Sequence, residues 1–450
     1  MPQCSWLPAL LNNVESLPVV FPLSLGSLDS PFANLLLILF VPVALSICLW
    51  SLYNLSIFVI GVRRHLSDRE ARDDSKPPSR MPFISLIVPA KDEEKVIGRL
   101  MESLLNIEYA TDRMEIVVVE DGSSDSTREV CLRYASLRPS LIRYFHRQTS
   151  VGKPAALNFG LHQARGEIIG VLDADSVPDR GLLQQVARRF EDPETVAVQG
   201  LTQSINPQTN MLTKIVSLEE AAWFKAMLNG KERLGLFVPL TGSCQFIRAE
   251  LLKKSGGWNE SSLAEDVELA TRLLESNRRV TFCEHAISLQ EAPSRLSQLF
   301  RQRSRWYRGY IETAISYGKL LRKPNRIRVD AEVSLLGPIL LSISFANYLL
   351  SWAVFTYSLT ILARILAYLM LGLASTLLLA VGFTLVYTVK PRKLSNFLWL
   401  PFIYSYWFLQ TVIAVYALSL IVLRRPRVWT KTDKSGSACD ARLKTVGGAG

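Results

Sequence analysis

Residues Pro31 to Val62 contain no charged side chain. A run of that length can cross a bilayer as a helix. Arg63, Arg64 and His65 follow at once. Basic residues beside a span mark its cytoplasmic side, so the chain after it is expected in the cytosol. The run is too long and too far from Met1 to be a cleaved signal peptide. Before it, residues 1–30 are broken by Asn12, Asn13, Glu15 and prolines, and are expected to form an extracytoplasmic or interfacial lead.

Apolar residues make up 49% of the 450 residues, yet 20% are charged. The apolar ones gather at the two ends. Three further blocks, roughly 335–360, 366–389 and 397–423, have the length of membrane spans. Lys390-Pro391-Arg392-Lys393 and Arg424-Arg425-Pro426-Arg427 are both basic, hence both expected on the cytosolic side. Two cytosolic ends cannot flank a single crossing, so one block is re-entrant or crosses twice, or the lead is itself a span. The net charge of +11 fits a protein on an anionic leaflet. Nucleic acid is not expected as a partner, because many of the basic residues sit beside the apolar blocks. The six Cys and four His show no zinc-ligand or redox spacing.

Between the ends lies a soluble region. Residues 63–82 are charge-dense, contain Pro77-Pro78 and read as a linker. Apolar runs at 84–88, 115–120 and 167–173, with a weaker one at 141–145, alternate with helical stretches. That alternation predicts an α/β domain with a mostly parallel sheet and helices on both faces. Ligands of such sheets sit beyond the carboxyl ends of the strands. Asp121-Gly122-Ser123 lies at one such end. Asp173-Ala174-Asp175 lies at another, with its two carboxylates on the same side by strand periodicity. Hard cations take oxygen ligands and share their shell with substrate phosphates, so the pair suggests a metal–diphosphate site. An Asx-rich turn explains it equally well taken alone. No G-x-G-x-x-G follows the first strand, and Gly152-Lys153 lacks the remainder of a P-loop. Phosphates are therefore expected to meet metal and basic side chains.

Further on, Glu265-Asp266 opens a helix reaching about Ser276, a place where acids also simply favour the helix dipole. Gln302-Arg303-Ser304-Arg305-Trp306 lies in a basic amphipathic stretch, 294–317, that reads as an interfacial helix. Asp121-Gly-Ser, Asp173-Ala-Asp175, Glu265-Asp266 and Gln302-x-x-Arg305-Trp306, in this order and spacing, resemble the family 2 glycosyltransferases. The resemblance covers about 83–310 and is to the membrane-embedded branch that includes cellulose, chitin and hyaluronan synthases.

The resemblance implies a GT-A fold and inverting transfer from a nucleotide-diphosphate sugar, UDP- or GDP-linked. It implies a nucleobase contact for Asp121, and the divalent metal, Mg²⁺ or Mn²⁺, on Asp175. Asp173 is then expected on the nucleotide or donor sugar and Lys153 near the nucleotide. Glu265 and Asp266 form the catalytic acid pair, with Asp266 the general base. Gln302, Arg305 and Trp306 are expected over the diphosphate and acceptor end. Lys91-Asp92 departs from the aromatic and asparagine of many relatives.

The chemistry agrees with those roles. Inversion needs one in-line attack and one base, worth roughly 10²–10⁴-fold. The leaving diphosphate needs its charge neutralised. Arg305 can grip phosphate bidentately, and Trp306 offers a flat face to a sugar ring.

The expected organisation is a lead (1–30), a transmembrane segment (31–62), a linker (63–82) and a cytosolic GT-A transferase domain (83–293). Amphipathic interface helices (294–330), a C-terminal transmembrane region (331–423) and a flexible basic tail (424–450) follow. β-Glycan polysaccharide synthesis is the first expectation. A glycolipid synthase with the same chemistry is the second, and a non-catalytic membrane scaffold is a distant third. The acceptor is accordingly a glycan or a lipid, with the bilayer as a further partner.

Overall fold

The computed structural model describes residues 31–67, 78–356, 361–388, 398–427 and 434–436. The lead at 1–30, part of the linker and most of the tail lie outside the described residues.

One eight-stranded sheet organises the soluble region. Its strands are β1 (Ile84–Ala90), β2 (Met114–Asp121), β3 (Ile142–Arg147), β4 (Ile168–Val171), β5 (Val177–Pro178), β6 (Ala197–Ser204), β7 (Gln245–Arg248) and β8 (Val280–Gln290). Their spatial order is β3-β2-β1-β4-β7-β6-β8-β5. β3, β2, β1 and β4 run parallel, as does β6 with β8. β7 runs against β4 and β6, and β5 against β8, so the sheet is mixed. The expected parallel order thus holds through β4, where helical crossovers dictate direction. Beyond it helices still separate the strands, but β7 enters reversed from the small-residue loop at Thr241–Cys244.

β1 and β2 are buried almost throughout, which explains their near-continuous apolar sequence. Leu86 and Val88 face one side. There they meet Leu100 and Leu104 of the helix Ile97–Leu105, and Leu183 and Val186 of the helix Leu182–Arg189. Ile87, Val117 and Val119 face the other side. They meet Leu157 and Leu161 of the helix Lys153–Gln163, and Leu269 and Leu273 of the helix Glu265–Glu275. Each fully buried Leu or Ile contributes about 2 kcal/mol. The sheet is therefore fixed from both faces, and its carboxyl edge is a rigid platform.

Among the described residues, three helices are long and apolar enough to cross a membrane: Asn34–Leu66, Gly337–Val354 and Leu400–Val422. A shorter apolar stretch, Ala367–Phe383, lies in the helix Ile361–Thr388. The first helix spans Pro31–Ser67, so it continues past Val62 into the segment expected as linker. The reason is packing: His65 is buried against Glu284 of β8, which holds the last turn in helical form. Leu36, Phe40 and Ala44 pack on Val354 and Ala367. Ile38, Trp352 and Tyr368 point outward and are largely exposed.

The helix Leu296–Tyr317 was expected at the interface. It packs on the helix Glu265–Glu275 on one side and on Leu400–Val422 on another, bridging the soluble domain to the apolar bundle.

Candidate active site

A cavity opens at the carboxyl edge of the sheet. Its lining includes Asp121, Lys153, Asp173, Asp175, Glu265, Asp266, Gln302, Arg305 and Trp306, so all nine residues singled out from the sequence meet in one place.

Asp121 is the last residue of β2. Ser150 Oγ donates to its Oδ2 at 2.7 Å, and Arg147 Nη1 lies 2.9 Å from Oδ1. Lys153 begins the helix Lys153–Gln163. Its Nζ donates to Asp173 Oδ1 at 2.6 Å and to the Gly242 carbonyl at 2.9 Å, and lies 3.9 Å from Glu265 Oε1. Burial by itself lowers the pKa of this ammonium, but the Asp173 and Glu265 carboxylates outweigh it and hold the group above its ordinary value. Lys153 therefore carries a fixed positive charge between the two acidic motifs.

Asp175 is buried. Glu291 N–H donates to its Oδ2 at 2.9 Å, and Lys434 Nζ stands 2.7 Å from the same oxygen. Burial pushes the carboxyl upward, yet Lys434 and the Glu291 amide more than compensate and keep it below the usual range.

Glu265 and Asp266 are the first two residues of their helix, where its N-terminal dipole favours negative charge. Glu265 is buried, whereas Asp266 is half-buried and opens on the cavity. Val267 N–H donates to Asp266 Oδ1 at 2.9 Å. Burial, and then the adjacent Glu265 charge, push the Asp266 carboxyl up to about 7. That value suits a general base working near neutrality.

Gln302, Arg305 and Trp306 reach the cavity from Leu296–Tyr317. Arg305 Nη1 donates to the Leu263 carbonyl at 3.1 Å, tying this wall to the loop before Asp266. The Arg303 guanidinium sits 4.6 Å over the Trp306 ring and fixes its plane.

Some residues that line the cavity or hold its lining side chains escaped the sequence reading. Glu291 lies 116 residues from Asp175 and carries no local motif. Lys434 belongs to the segment expected as a flexible tail, yet Lys434–Gly436 is docked in the site. Arg147 and Ser150, which hold Asp121, sit at ordinary strand-end and loop positions that only the fold brings near.

The oxygen-only donor set fits Mg²⁺ or Mn²⁺, since Asp173 and Asp175 both line the cavity. Among the described residues, no group of three His, Cys, Asp or Glu could hold a metal by itself. The remaining ligands would have to come from donor phosphates and water.

A mixed sheet with this acidic, cation-lined cavity at its carboxyl edge is the architecture of a sugar-transferring enzyme. A family model described as "Glycosyltransferase like family 2" matches residues 81–309, and the chain belongs to that family. A probable glycosyltransferase, YdaM, of Bacillus subtilis is 28% identical over 60% of this chain and 67% of its own length. A beta-monoglucosyldiacylglycerol synthase of Trichormus variabilis is 30% identical over 62% of this chain. This chain spans 61% of that relative's length. A poly-beta-1,6-N-acetyl-D-glucosamine synthase of Staphylococcus epidermidis is 26% identical over 52% of this chain and 55% of its own length. In fold, the chain is similar to the mannosyltransferase PcManGT of Pyrobaculum calidifontis, solved in complex with GDP-Man and Mn²⁺. The TM-score is 0.58 at 21% identity, covering 87% of this chain and 100% of that one.

Proposed function

We propose that the protein transfers a sugar from a nucleotide-diphosphate sugar, UDP- or GDP-linked, to the hydroxyl of a membrane lipid, with inversion at the anomeric carbon. The observation that carries this reading is a single cavity shared by the raised-pKa carboxylate of Asp266, the Asp173/Asp175 pair and the Arg305–Trp306 wall.

Asp121, held by Arg147 and Ser150, contacts the nucleobase. Asp173 and Asp175 face the diphosphate, with Asp175 the metal ligand. A bound Mg²⁺ or Mn²⁺ would neutralise the diphosphate charge as the bond to the sugar breaks. Lys153 and Arg305 add fixed positive charge, and Gln302 closes the wall beside them. Asp266 accepts the proton of the attacking hydroxyl, and Glu265 keeps its pKa high. Trp306 supports the sugar ring. No covalent intermediate is needed, because one base and one in-line displacement complete an inversion.

The lipid acceptor is the reading we favour over a translocated glycan. Ser342, Ser344, Thr376 and Ser405 each donate to a carbonyl of their own helix. The protons of these hydroxyls are thus satisfied within their own helices. The relative at 30% identity is named as a glycolipid synthase. Polysaccharide synthesis, the first expectation from the sequence, keeps the support of the poly-N-acetylglucosamine relatives.

In the cell, the catalytic domain faces the cytosol beside the bilayer, oriented by Arg63 and Arg64. Membranes containing the protein, incubated with labelled nucleotide sugars, test both readings. A single-sugar product extracted by organic solvent supports the lipid acceptor. A polymer retained in the aqueous phase replaces it with the glycan.

A further inference from the structure

The cation standing on Asp175 belongs to the chain itself. Lys434 Nζ is 2.7 Å from Asp175 Oδ2 and donates to the Glu291 carbonyl at 3.0 Å. The next two residues are held as well. Ser435 N–H and Oγ donate to Glu291 Oε2 at 2.9 and 3.2 Å, and Gly436 N–H donates at 3.4 Å. Glu291 is buried and is braced from behind by Arg99 Nη2 at 3.2 Å. Gly436 has φ +66°, and a Cβ there would meet the Lys95 carbonyl oxygen at 2.8 Å. Glycine alone suits both the left-handed backbone and the close approach.

A second hold lies upstream. Arg308 donates to the carbonyls of Arg425 at 2.7 Å and Pro426 at 2.9 Å, and Arg427 pairs with Glu312 at 3.0 Å. The seated lysine is thus seven positions beyond an anchored Arg427.

A divalent cation on Asp175 would share one carboxylate with this ammonium. Like charges at such separation in a partly buried site repel strongly. We propose that Lys434 is a tethered competitor of the divalent cation at Asp175: with the tail seated the metal position is taken, and metal binding displaces the tail. The proposal rests on Asp175 being the metal ligand of the reading above. The docked arrangement then protects an empty donor site. The metal requirement becomes a threshold set partly by the tail.

The test uses the full-length protein in detergent with Mn²⁺ alone, read by the electron paramagnetic resonance signal of free Mn²⁺. Lys434→Ala is expected to bind Mn²⁺ at least about tenfold tighter than the parent, and Asp175→Asn in that background to abolish the gain. In the unaltered protein, acylation of Lys434 by an N-hydroxysuccinimide ester, read by peptide mass spectrometry, is expected to accelerate several-fold as Mn²⁺ rises. Equal Mn²⁺ affinity in parent and Lys434→Ala overturns the proposal, as does an acylation rate unmoved by Mn²⁺ or no Mn²⁺ binding by either protein. Failure of the functional reading looks different. It would show as no sugar transfer from any nucleotide sugar while Mn²⁺ and Lys434 still exclude each other, which supports the competition on its own.

Discussion

Tyr307 Oη donates a 2.6 Å hydrogen bond to Gln410 Oε1, joining the helix that carries Arg305 and Trp306 to the last apolar helix. Gln410 is buried, and its Nε2 has no hydrogen-bond partner among the described residues. The Tyr307 bond therefore satisfies only the carbonyl half of this amide. Beside it, Arg303 and Tyr406 both bind Glu219, so the cavity wall and the bundle share one polar seam.

Tyr307→Phe is expected to lower stability by about 1–3 kcal/mol, because it strands the Gln410 carbonyl in an apolar setting. Adding Gln410→Leu is expected to restore most of that loss, since replacing both partners removes the unmet acceptor. Thermal unfolding of the two variants in the same detergent checks it. A double variant no more stable than Tyr307→Phe would mean that the bond is incidental.

Asp266→Asn is expected to reduce turnover by roughly 10²–10⁴-fold while leaving nucleotide-sugar binding nearly unchanged. A base must be ionised to act. With the carboxyl at about 7, kcat/KM should rise with pH and level off above neutrality. Glu265→Gln removes the adjacent like charge, which should move this acid limb to lower pH. The same shift has a stability sign. A carboxyl raised in the folded state stabilises the fold most below its ordinary pKa, and this contribution fades as pH climbs through about 7. A limb that stays in place in Glu265→Gln would point to a different titrating group.

Asp330 accepts from Lys231 Nζ at 2.7 and 2.8 Å and from Phe237 N–H at 2.8 Å, and Tyr53 of the first apolar helix also donates to it. Lys231 and Asp330 are both buried. Asp330→Ala would leave a buried ammonium without its counter-ion, a loss of about 3–5 kcal/mol. Replacing the pair by Lys231→Met and Asp330→Leu should recover much of it, because the desolvation of two charges disappears together. Unfolding midpoints in detergent distinguish the cases. Equal loss in single and double variants would show that Tyr53 and the Phe237 amide carry the junction instead.

The acidic half of the cavity was legible because its residues sit in short motifs at strand and helix ends. Asp121, Asp173, Asp175 and Asp266 follow strands or open a helix, and a period-2 or 3.6 pattern locates those ends. The residues that hold them were not legible. Arg147, Glu291 and Lys434 reach Asp121 and Asp175 only through the sheet order and the return of the chain, which no local pattern encodes. The reversal of β7 escaped for the same reason: a four-residue strand after a loop of small residues carries no mark of its direction. The charge-free run located the first apolar helix but not its end, because His65 and Glu284 settle that by a contact across 219 residues.

Gly61 and Gly230 make the last and sharpest prediction. A Cβ at Gly61 would coincide with the Ala226 carbonyl oxygen, and one at Gly230 would strike the Ile57 carbonyl. The first apolar helix therefore crosses the π-helical turn Trp223–Leu228 and the helix after it with backbones in direct contact. Ile57, Met227 and Leu236 close around that crossing. No rotamer of a larger residue can relieve a clash with backbone on both sides, so the helices must separate. Gly61→Leu and Gly230→Leu should each cost more than the roughly 1–3 kcal/mol usual for overpacking, and should loosen the catalytic domain from the bundle. Gly372→Ala is the matched control, because nothing lies within 4 Å of its added methyl. That change should be neutral or stabilise by up to about 1 kcal/mol through helix propensity. Limited proteolysis and thermal unfolding of the three variants provide the measurement. If Gly61→Leu behaves like Gly372→Ala, the first helix is not seated on the catalytic domain in this way.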